Sequence, residues 1–174
     1  MRRLLGGGTI LATLVAASTF AVSEPLQTID QHEKCPVCGM FVAKYEQWLT
    51  QIVSGADDQL IFDGVKDMMA YYFNAELYGG SADLSNAEIW VRNYYTLEYV
   101  DGRKALYVVG SDVLGPMGDE LIPFSTSKEA ENFKKDHQGT AILSFDEITS
   151  AQVMEMKKKH MMKMKNKKAM KHAN

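Results

Sequence analysis

The residues best suited to chemistry are two cysteines in the run Cys35-Pro36-Val37-Cys38-Gly39-Met40. Two thiolates and a thioether on one short stretch form a soft donor set. Such sulfur ligands select Cu(I), which accepts low coordination numbers. Other uses of a Cys-x-x-Cys pair fit less well. A structural zinc site needs four ligands, usually from two such pairs, and the chain has no second pair. A c-type haem attachment needs His at position 39, which is Gly. A thioredoxin-type pair opens a helix whose N-terminus lowers the thiol pKa. Here an extended linker over residues 24–34 precedes the pair, and the strand-like run from Met40 to Lys44 follows it. Two bland readings remain open: a disulfide that staples a turn, and a periplasmic thiol-disulfide redox protein.

A second candidate is the loop Gly110-Ser111-Asp112-Val113-Leu114-Gly115-Pro116-Met117-Gly118. It lacks the Lys and spacing of a phosphate loop. Met117, held between Pro and Gly, is either a thioether ligand on a tight turn or a packing residue. A third is the tail from Met154 to Asn174, which holds six of the eleven Met and two of the four His, interleaved with eight Lys. A His/Met-rich tract reads as metal binding, so His160, Met161, Met162, Met164 and His172 are auxiliary candidate ligands, although lysines repel a bound cation. The competing readings of the tail are a solvated helix, or a basic segment docked on an acidic surface or on anionic lipid. His32, just before the Cys pair, is a further auxiliary candidate. His137 precedes Gly139 at a helix end and reads as a cap. No Gly-x-Ser-x-Gly, His-Glu-x-x-His or dinucleotide fingerprint occurs, and a non-enzyme is expected.

These residues need a scaffold. Trp48–Val53 and Gln59–Phe62 alternate as strands across the Ser54–Asp58 turn, and Asp63 reads as the N-cap of a helix over 65–73. Ile89 to Val100 reads as one long strand, joined by an Asp101-Gly102 hairpin turn to Ala105–Val109. Leu121–Phe124, a helix from Lys128 to about His137 capped by Ser127, and Ala141–Phe145 complete the pattern. Strand, strand, helix, strand thus occurs twice, offset by about 60 residues. The expected fold is α+β: two similar ββαβ units, in halves of about 35–85 and 86–149.

Residues 1–23 carry Arg2 and Arg3, a short apolar stretch and Ala21-Val22-Ser23 before Glu24, the pattern of a cleavable signal peptide. Export to the periplasm is expected, with no Cys at the cut to take a lipid. The domain is then 24–153 and the tail 154–174. From Glu24 to Val153 the chain has 9 Lys+Arg against 21 Asp+Glu, a net −12, whereas the tail carries +7. The acidic body excludes nucleic acid as its main partner, since phosphate binding needs a basic face.

Taken together, the Cys35–Met40 run, Phe62-Asp63-Gly64-Val65-Lys66-Asp67-Met68-Met69, the Gly110–Gly118 loop leading into Leu121-Ile122-Pro123-Phe124, and Phe145-Asp146-Glu147-Ile148 resemble the NosL family of nitrous oxide reductase accessory proteins. The resemblance spans roughly 34–149. It implies an exported Cu(I) metallochaperone, two ββαβ units, and candidate ligands Cys35, Cys38, Met40 and Met117. It further implies nitrous oxide reductase and its membrane transporter complex as partners. Many members of that family carry a lipid-anchoring Cys, which this chain lacks, and the tail lies outside the resemblance.

Overall fold

A computed structural model describes residues 24–55, 58–80 and 83–172. The signal-peptide reading of 1–23 lies outside the described residues, as do Ala56, Asp57, Ser81, Ala82 and the side chain of His172.

The first unit is β1 (Thr50–Gly55), β2 (Asp58–Phe62), α1 (Val65–Phe73) and β3 (Glu88–Arg92), followed by a short β4 (Tyr99–Asp101). The second is β5 (Leu106–Val109), a small hairpin of β6 (Leu114–Gly115) and β7 (Gly118–Asp119), then β8 (Ile122–Phe124), α2 (Ser127–Asp136) and β9 (Ala141–Ser144). The sheets have the orders β2-β1-β3-β4 and β8-β5-β9, all antiparallel. In each unit the first strand is central, the second lies on one side and the strand after the helix on the other. The expected α+β fold of two ββαβ units is therefore present, with β4 added to one sheet and the β6–β7 hairpin inserted in the other. A long helix, α3 (Ser150–His172), closes the described chain. No helix among the described residues is long and apolar enough to cross a membrane.

Three local expectations are corrected. The run 89–100 is not one strand. Buried Asn93 accepts the backbone N–H groups of Tyr95 and Thr96 on Oδ1, and its amide donates to Ser125 and Glu129, so the chain bends there. Asp101-Gly102 does not join a β4–β5 hairpin, because β4 folds back on β3 and the turn instead passes the chain to the second sheet. And β3 pairs with β1, so the first unit runs past the expected midpoint near residue 85. The helix caps also shift by one: Thr126, not Ser127, forms the capping box with Glu129, and Gly64, not Asp63, is the residue before α1.

α1 is apolar at Val65, Met68 and Met69, but Lys66 and Asp67 are equally buried because α3 packs across its other side. Val153 of α3 is fully buried and Met156 joins the same core. The acidic body holds the basic helix through Lys157–Asp67 (2.8 Å), Lys159–Asp119 (2.9 Å) and Lys163–Asp119 (3.2 Å). Lys159 foremost, and Lys163 after it, hold the Asp119 carboxyl below its usual range, against the effect of burial.

Candidate metal centre

The Cys35–Met40 run is a closed loop. Lys34 and Phe41 form an antiparallel bridge at its neck. Cys35 N–H donates to Met40 O and Gly39 N–H to Cys35 O, both at 2.9 Å. Gly39 takes φ +75°, a conformation glycine adopts without strain. The loop buries Cys35, leaves Cys38 half-buried, and holds both as free thiols. Two carboxylates meet them, Asp67 from α1 and Asp63 from just before the helix. Cys38 Sγ lies 3.3 and 3.4 Å from the two oxygens of Asp63, and Cys35 Sγ lies 3.8 Å from Asp67 Oδ2. One donor atom from each of Cys35, Cys38, Asp63 and Asp67 lies within 4.8 Å of the others. Asp63 thus faces the thiols instead of capping the helix.

Two sulfurs and two carboxylates converge here, with Lys157 pairing with Asp67 at 2.8 Å. The hydrogen bond shared with Cys35, and then burial, push the Cys38 thiol far up, while the backbone N–H of Met40 opposes them. A thiol held protonated until a metal displaces its proton suits a metal site, where binding and deprotonation are linked.

The second glycine-rich loop arrives over Cys38. Gly115 and Gly118 pair across the β6–β7 hairpin, with Pro116 and Met117 at its tip and Gly118 at φ +83°. Lys66 fixes this tip from below: its Nζ donates to the carbonyls of Met117 and Asp119, each at 2.6 Å. Met117, Cys38 and Val37 then line one cavity of about 250 Å³ with Lys66, Asp67 and Tyr78, and α3 roofs it with Lys157, His160 and Met161. Burial, and then Lys66, push the His160 imidazolium below its ordinary range, which favours the neutral ring.

The structure thus brings Cys35 and Cys38 together, and Cys38 with Met117, His160 and Met161. Met40 contributes backbone hydrogen bonds to the loop but does not line the cavity. His32 is exposed, pairs with Asp30 at 3.2 Å and does not line the cavity. Met162 and Met164 project to solvent. His137 caps α2, stacks on Phe133 and pairs with Asp112. Asp63, Asp67, Lys66 and Lys157 were missed as site residues. The one signal for the first three is that they share the Phe62–Met69 motif.

Behind the cavity Glu120 is fully buried. Its Oε1 accepts the backbone N–H of Lys66 at 2.6 Å and of Leu121 at 3.0 Å. Gly64 and Gly115 pack on its carboxyl; a Cβ at either would press on Oε2. Burial raises the carboxyl to about 7, with Lys66 opposing. Because the folded pKa lies above the unfolded one, this group's contribution to stability is complete below about pH 4.5 and is lost as pH rises through about 7. Wild-type protein is expected to lose up to about 3 kcal/mol from this source between those limits. Urea unfolding at about pH 5 and about pH 8 checks it: Glu120→Gln should flatten the pH dependence, and an unchanged dependence would refute the assignment.

The chain is also similar to known proteins. The NosL family model matches residues 25–153. The chain is 26% identical over 167 residues to the copper-binding lipoprotein NosL of Stutzerimonas stutzeri, covering 87% of this chain and 84% of that one. Its fold is similar to the crystal structure of the copper chaperone NosL from Shewanella denitrificans, with a TM-score of 0.61 at 25% identity, over 73% of this chain and 97% of the other.

Proposed function

The chain belongs to the NosL family, and on that premise we propose that it is an exported, non-catalytic Cu(I) metallochaperone that delivers copper for assembly of the copper centres of nitrous oxide reductase. The observation that carries this reading is the meeting of Cys38 and Met117, far apart in sequence, on one cavity. A thiolate and a thioether on one small cavity match a soft monovalent ion better than a hard divalent one. Cys35 lies behind Cys38 and completes the sulfur set, while Asp63 and Asp67 supply negative charge that favours any arriving cation. The sulfur ligands of this reading are Cys35, Cys38 and Met117, with Met40 closing the loop through its backbone. The partners are the copper ion, nitrous oxide reductase and its membrane transporter complex. The N-terminal pattern Arg2-Arg3 through Ser23 supports a periplasmic location.

Loading is a ligand exchange. Copper stays Cu(I), and the thiol protons leave to solvent as the Cu–S bonds form. Anaerobic titration against a chromophoric Cu(I) chelator tests the proposal. The full chain should take up Cu(I) tightly, and Met117→Leu, which keeps the volume but removes the sulfur, should weaken binding about tenfold, or about 1.4 kcal/mol. Wild-type affinity in Met117→Leu would remove Met117 from the site. Transfer of the bound copper to apo nitrous oxide reductase tests the delivery step, and binding without transfer would count against a chaperone.

A further inference from the structure

Val153, Met156, Lys157, His160 and Met161 recur at helical spacing and share one face of α3. That face is pinned at two points. Val153 is buried in the core with Met156 against it, and Lys157 bonds Asp67, itself 2% exposed. This pinning sets the rotation of the helix, and the next turn carries His160 and Met161 onto the cavity lined by Cys38 and Met117. The close approach depends on glycine: a Cβ at position 118 would stand 2.7 Å from His160 Nδ1. Neither ring nitrogen of His160 has a hydrogen-bond partner among the described residues. Met161 lines the same cavity although over half of its surface meets solvent, whereas Met162 and Met164 turn away.

We propose that α3 supplies His160 and Met161 as further ligands to the same ion that Cys38 and Met117 hold, so that copper is carried enclosed between the body and the C-terminal helix. This rests on the copper-binding reading of the cavity. Imidazole nitrogen and thioether sulfur are both accepted donors for Cu(I), and both are neutral, so they add no charge to the buried site. His160 and Met161 bind as neutral donors, so they add no proton release to that of the thiols and change no oxidation state. Lys157 stays with Asp67 and holds the helix in place. Beyond residue 153 this helix is outside the segment matched by the family model.

The test uses the full chain loaded with Cu(I), and both affected residues are exposed enough to change without unfolding it. X-ray absorption at the copper edge should show an imidazole scatterer in the wild type that is absent from His160→Ala, and a shell poorer in sulfur in Met161→Leu. Competition with a Cu(I) chelator should show affinity about tenfold weaker in each, about 1.4 kcal/mol, with Met164→Leu unchanged. Wild-type spectra and affinity in both His160→Ala and Met161→Leu, with binding still abolished by Cys38→Ser, would overturn this proposal alone. Undiminished binding by Cys38→Ser would instead overturn the copper reading on which it rests, and this proposal with it.

Discussion

Cys38→Ser is expected to weaken Cu(I) binding on the order of a thousandfold, about 4 kcal/mol, while leaving the fold intact. Cys38 is the half-buried thiol at the junction of the site: it faces Asp63, shares a hydrogen bond with Cys35 and opens onto the Met117 cavity. A serine hydroxyl is a hard donor that stays protonated at neutral pH, so it replaces neither the charge nor the softness of the thiolate. The half-exposed position tolerates the change sterically. Chelator competition, with a urea unfolding curve on the same sample, separates the two effects. Affinity within tenfold of the wild type, in a folded variant, would mean that the copper sits elsewhere. Cys35→Ser should move affinity in the same direction, but it also places a hydroxyl in the core, since Cys35 is 1% exposed.

Lys66→Met should cost about 3–5 kcal/mol of stability, the range for removing one partner of a buried charged network. Lys66 is 1% exposed, and its ammonium is what satisfies the carbonyls of Met117 and Asp119 at the hairpin tip. Methionine keeps the aliphatic stem but leaves both part-buried carbonyls without the ammonium's hydrogen bonds. Glu120 loses its nearest opposing cation as well. Because the tip carries Met117, the surviving folded fraction should also bind copper less tightly. Urea unfolding measures the first effect. A variant within about 1 kcal/mol of the wild type would show that the hairpin holds its shape without the lysine.

The soft-donor loop, the helix over 65–73 and the duplicated strand-strand-helix-strand order were legible because each rests on local signals: residue type, helical period and turn chemistry. The rest depended on tertiary context. Lys66 and Asp67 have the look of the polar side of an amphipathic helix, and only the arrival of the β6–β7 hairpin over Lys66 and of α3 over Asp67 buries them. Asp63 sits where a helix cap belongs, and nothing local shows that its carboxylate turns to Cys38 instead. The run 89–100 has strand-like composition throughout, and the bend at Asn93 is imposed by partners on the second unit, Ser125 and Glu129. The charge asymmetry between body and tail was plain in the sequence. The register of their docking was not, since it is set by two acidic residues, Asp67 and Asp119, that are distant along the chain.

The packing of two glycines on Glu120 bears on how this protein can evolve. Gly64 belongs to the stretch that delivers Asp63, Lys66 and Asp67, and Gly115 to the hairpin that delivers Met117; both lie against the same carboxyl group. An alanine at position 64 requires the Glu120 carboxyl to turn, which strains its bond from the backbone N–H of Lys66, and one at position 115 requires it to give slightly. The three sites therefore form one coupled unit under mutation, so that drift at any of them is constrained by the other two. Substitutions in two motifs separated by about fifty positions along the chain should therefore be non-additive, because a single buried side chain is wedged between them.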